Sequence, residues 1–192
     1  MNSRFEERLN QVLPRLVSPD VLSNKGAGGE IGFWIFDYPA EEEMAMRSWL
    51  ESVIEPGLRK HVPEIRFKTV DLFEFVVDFL KERNLFDKAC DMQTSKGDTA
   101  VLASLRSVLK EDRLAARMAE KLAITDLDLL IVKGVGAVYP MLRTHTLLSA
   151  LHPHMRHTPL LMLYPGRYDG QSLSLFNTLS DDNYYRAFRL VS

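Results

Sequence analysis

Two short runs constrain this chain more than anything else in it. Leu127 to Val132 and Pro159 to Tyr164 are apolar at their centres on both faces of any strand they form. A strand of that kind needs helices above and below it, which places it mid-sheet. Between the two runs lies "YPMLRTHTLLSALH", which reads as a helix with Pro140 in its first turn. Strand, helix, strand implies a right-handed crossover and parallel neighbours.

The remaining segments extend that pattern. Residues 3–17 read as a helix, with Phe5, Leu9, Val12, Leu13 and Leu16 at helical spacing. "EIGFWIFDYP" is a strand rich in aromatic and β-branched residues, and the helix that follows it carries Glu41, Glu42 and Glu43 in its first turn. "EIRFKTVDL" is a second strand, running into the helix "FEFVVDFLKERN". Asp98 is expected to cap a long helix from Thr99 to about Leu122. "YYRAFRLV" is a fifth strand. The expected fold is therefore α/β: a single domain over 1–192 with a mostly parallel central sheet of about five strands flanked by helices. It has an N-terminal helix in 1–20 and a helical insertion between strands in 85–123. It looks like a P-loop-like scaffold without Walker motifs.

The bulk properties exclude several classes. With 192 residues, 46% of them hydrophobic and 26% charged, the chain can bury a core without staples. A net charge of -2 does not mark the whole molecule as a nucleic-acid or membrane binder. The single cysteine, Cys90, excludes a disulfide within the chain and fits a reducing cytoplasm. The amphipathic start carries acids and lacks the apolar core of a secretory signal, and no run is long enough to span a bilayer. A cytoplasmic location is expected.

Each catalytic motif the sequence approaches is incomplete. "PLLMLYPGRYDGQSL" imitates a strand running into a phosphate loop, but Gly166 and Gly170 enclose three residues where the P-loop needs four. Gln171 stands in the lysine position, and Asp169 opposes an anion. "GVGAVY" begins like a dinucleotide fingerprint but places Tyr139 at the third glycine, so a tight turn explains it better. His152, His154 and His157 lie within six residues, with His145 nearby, but no cysteine or carboxylate accompanies them. Cys90 sits between Asp87 and Asp91, which discourage a thiolate. Asp37 and Asp71, at strand ends, suit caps or surface positions better than metal or ribose binding. No catalytic residue, cofactor or metal is expected.

Two surface features point to binding. Arg106, Lys110, Arg113, Arg117 and Lys121 recur at spacings of 4, 3, 4 and 4, which puts five cations on one face of the long helix. That face suits an acidic protein partner, weak nucleic-acid contact or plain solvation, and Glu111, Asp112 and Glu120 moderate it. The tail offers Tyr184, Tyr185 and Arg186, residue types enriched in interface hot spots, although an ordinary last strand also accounts for them. Arg167 and Tyr168, in the "PGRYDGQSL" turn, are either exposed for a partner or paired inside.

Three blocks carry a family resemblance: "KGVGAVYPMLRTHTLLSAL", "PGRYDGQSLSLF" and the "YYRAF" ending. With them the chain resembles the BrxB family of BREX phage-defence systems, and "IGFWIFDYP" before an acidic helix start is compatible. The resemblance implies a small cytoplasmic bacterial protein acting beside the large ATPase BrxC, the alkaline-phosphatase-like protein PglZ and the adenine methyltransferase PglX. It implies no catalytic motif. The expectation is thus a non-catalytic adaptor contacting PglZ, the BrxC ATPase or both, with no membrane contact. The alternative is a DNA-binding or regulatory module of the same system, using the basic helix face.

Overall fold

The structure, a computed structural model, describes residues 3–23, 32–181 and 187–192. Among them, α1 (Ser3–Leu16) and α2 (Pro19–Leu22) precede strand β1 (Phe33–Tyr38). A short 3-10 turn then opens a continuous helical rod, α3 (Glu43–Trp49) and α4 (Glu55–His61), joined by a π-helical turn at Leu50–Ile54. Strand β2 (Phe67–Asp71) leads to α5 (Leu72–Glu82), α6 (Phe86–Lys96), α7 (Asp98–Val108) and α8 (Glu111–Leu122). Then come β3 (Leu129–Lys133), α9 (Thr144–Met155), β4 (Leu160–Tyr168), β5 (Leu173–Leu175), β6 (Leu179–Asp181) and β7 (Phe188–Arg189).

Five strands pair in parallel in the order β2-β3-β4-β1-β7, while β5 and β6 continue antiparallel from β4. The two doubly apolar runs are β3 and β4, second and third in that order, and Leu129 to Val132 and Leu160 to Leu163 are buried. Alternation along the strands divides the core in two. Ile35, Leu130, Val132, Leu160 and Met162 face α5, α8 and α9. Trp34, Phe36, Leu129, Ile131, Leu161 and Leu163 face α1 and the α3–α4 rod. The α/β architecture with a mostly parallel, helix-flanked sheet is as expected.

Three local readings need correction. The long helix from Thr99 is broken. Leu109 turns into the core and Lys110 takes an extended backbone, so α7 and α8 are separate, and α8 packs on α9. Asp98 is the first residue of α7 and makes no cap. Its carboxylate instead accepts from Gln93 Nε2 at 3.0 Å. The helix after β3 starts at Thr144, because Val138 and Leu142 are used to fill the core and Arg143 is extended. Pro140, which follows a cis peptide bond, therefore lies before the helix, and Pro153 sits inside its last turn, where buried Leu151 and Met155 hold the turn in place.

Candidate functional site

In open parallel sheets, ligands settle outside the carboxyl ends of the strands, where the connections diverge. Here β1 feeds the rod on one face of the sheet, while β2 and β3 feed helices on the other. The ends of β1 and β4 therefore bound such a crevice, and Asp37, buried, stands in it.

Asp37 is fully engaged by its own chain. Arg8 from α1 donates to Oδ1 at 2.6 Å and also to the Asp37 carbonyl at 2.8 Å. The Tyr168 backbone N–H donates to Oδ2 at 3.0 Å, and Arg189 lies 3.4 Å from the same oxygen. A desolvated carboxylate is tolerable only when paired in this way. Asp71, at the end of β2, is also occupied: it caps α5 through the Phe73 and Glu74 N–H groups and pairs with Arg47 at 2.9 Å. Neither strand-end acid is left over for a metal or a ribose. Among the described residues no group of three or more His, Cys, Asp and Glu side chains is placed to hold a metal ion. In the histidine segment, exposed His152 lies edge-on to Phe33.

The stretch that imitates a phosphate loop is a β-hairpin. Gly166 pairs with Leu175 and Tyr168 with Leu173, so no helix follows β4 at this point. A Cβ on Gly166 would lie 2.2 Å from the Ser174 carbonyl oxygen, and this close approach of two backbones is what requires glycine. Asp169 closes the turn by accepting from the Gln171 and Ser172 N–H groups and the Ser172 hydroxyl. Those bonds favour the charged form and hold its pKa down at about 2. Of the two options for Tyr168, pairing inside holds: its hydroxyl donates to the Ala187 carbonyl at 2.6 Å and lies 3.0 Å from that of Gly170. Arg167 is exposed.

The five helix cations do not share one bare face. Arg106 belongs to α7 and donates to the Pro140 carbonyl. Arg117 pairs with Glu82 and Glu120, and Lys121 with Asp78 and Glu82. Hydrogen bonds from those cations pull the Glu82 pKa below the ordinary carboxylate value. Lys110 and Arg113 remain exposed. Tyr184, Tyr185 and Arg186 lie outside the described residues.

Two features went unread in the sequence. The first is the grouping of Arg4, Arg8 and Arg189 with Arg167 around the crevice, for which Arg8 gave a signal: it falls three residues after Phe5 and four before Val12, on the stripe that α1 buries. The second is an apolar rim. Met44 is 75% exposed, Phe73 44%, Tyr139 41%, Phe176 38% and Leu179 36%. Met44, Phe73 and Tyr139 follow β1, β2 and β3, and the antiparallel turn back from β4 through β5 brings Phe176 and Leu179 beside the end of β4, at the same edge. Tyr139 and Leu179 line one cleft, and Phe176 packs on Gly136 and Pro165.

Fold and site together define an α/β protein whose strand-end acids are held in internal ion pairs and hydrogen bonds and whose strand-end edge carries exposed apolar side chains. The family model described as BREX protein BrxB matches residues 68–190. A BREX protein BrxB from Escherichia coli O9:H4 (strain HS) is 39% identical over 187 residues, covering 97% of this chain and 92% of that protein. One from Bacillus cereus (strain H3081.97) is 36% identical, covering 98% of each. The chain belongs to the BrxB family of BREX phage-defence systems. No solved structure matches it.

Proposed function

We propose that this chain is a non-catalytic adaptor of its BREX system, bridging a PglZ-like protein of the phosphatase superfamily, the BrxC-like ATPase, or both. The observation that carries this reading is the strand-end edge itself. Asp37 and Asp71, the acids best placed for ligand chemistry, are spent on internal contacts, while apolar side chains stand exposed around them. Large apolar residues beside arginine are the chemistry of a protein interface. On this reading the sheet is a P-loop-like scaffold without Walker motifs. Its β1 runs into Pro39 and three acids, and a hairpin occupies the glycine stretch after β4. A fold of this kind does not itself supply an activity. No helix among the described residues is long and apolar enough to cross a membrane, and the adaptor would work in the cytoplasm.

The alternative, a DNA-binding or regulatory module, rests on five aligned cations. Internal pairing of Arg117 and Lys121 and the break before α8 leave it Lys110 and Arg113. The test is size-exclusion chromatography of the purified chain with each protein of its operon at micromolar concentration. Co-elution with PglZ or the BrxC ATPase, and no ATP hydrolysis by the chain alone, is expected. A chain that runs alone beside every operon protein overturns the adaptor.

A further inference from the structure

Resting on the adaptor reading, we propose that the arginine ring at the end of β1 is a socket for an acidic segment of the partner protein, receiving an Asp or Glu carboxylate. The cleft is about 490 Å³ and draws Arg4 and Arg8 from α1, Arg167 from β4 and Arg189 from β7. Among the described residues that line it, Asp37 is the one acidic side chain beside four arginines. Arg8 is committed to Asp37 and to the Val191 carbonyl, and Arg189 leans on Asp37 at 3.4 Å. Arg167 is exposed at the mouth and makes no hydrogen bond or ion pair within the described residues.

Guanidinium forks in a concave, partly desolvated site bind planar oxyanions in a bidentate way. Two observations select a protein carboxylate over a phosphate chain. The cleft sets its arginines beside Phe5 and Pro39, and no lysine lines it among the described residues. The molecule as a whole carries a net charge of -2, which disfavours an extended polyanion.

Arg167→Glu and Arg167→Lys test the socket, because this exposed side chain makes no hydrogen bond or ion pair among the described residues, although its charge does favour the ionised form of Asp169 two residues on. Affinity for the partner that co-elutes is measured by titration calorimetry, with thermal unfolding as a control. Arg167→Glu should weaken binding by about tenfold or more, and Arg167→Lys should lose less, at unchanged thermal midpoint. Wild-type affinity in Arg167→Glu overturns the socket and leaves the adaptor standing. If the wild-type chain binds no operon protein, the adaptor reading fails, and a hexaglutamate peptide then tests the socket alone by 15N spectra. Shifts at the Arg167 and Arg189 Nε–H resonances that neither phosphate nor duplex DNA reproduces support it. Their absence, or equal shifts with phosphate or DNA, overturns it.

Discussion

Arg8 and Asp37 join four parts of the chain at one point: α1, β1, the Tyr168 backbone and the last residues. Removing the cation leaves a buried carboxylate short of its best partner. Arg8→Ala should therefore destabilise the protein by about 3 kcal/mol. For a chain of this size that lowers the thermal midpoint by roughly 6–12 °C, read by calorimetry. Asp169 shows the opposite situation, an exposed acid with a purely local role. Its folded pKa of about 2 lies below the ordinary 3.8, so folding binds fewer protons. Its contribution is complete above about pH 4 and is lost as pH falls through 2. A carbon-detected NMR titration should place its midpoint near 2, with the Gln171 and Ser172 amides moving in step. A midpoint near 4 would mean the turn is not closed in solution. Asp37 was visible in the sequence as a strand-end acid. Its partners were not, because nothing local links residue 37 to residues 8, 168 and 189.

Elements were legible where periodicity decided them. The strands β1 to β4 and the helix α5 follow directly from apolar alternation and helical spacing, since burial on one face or two leaves no other solution. The errors lie where tertiary burial overrides a local pattern. Leu109 ends α7 because the core takes it, and Val138 and Leu142 fill the core before α9 begins. The glycine after β3 shows how tightly these junctions fit. Gly134 has φ +75°, and a Cβ there would lie 2.5 Å from Asp71 Oδ1, the atom that caps α5. Gly134→Ala combines a left-handed backbone penalty of roughly 1–2 kcal/mol with damage to a cap worth about 1 kcal/mol. Chemical denaturation should register a loss of about 2–3 kcal/mol with an unchanged slope. A loss under about 0.5 kcal/mol would show that Asp71 moves aside freely.

At the scale of the whole molecule, parallel topology does what no single segment announces. It sends the connections after β1, β2 and β3 out at the same edge, where the antiparallel β5–β6 extension of β4 adds Phe176 and Leu179 to Met44, Phe73 and Tyr139. The fold class was readable from two apolar runs. The rim was not, because exposure is decided by what packs on a residue and not by the residue itself. The central claim is that this edge, and not the α8 cations, meets another protein. Hydrogen–deuterium exchange of the chain alone and in complex with its PglZ or BrxC partner tests that claim most directly. The account predicts new protection in the strand-end segments 39–47, 71–75, 136–142 and 166–178, with α8 unchanged. Protection confined to α8, with the strand-end segments exchanging as they do in the free chain, would contradict it.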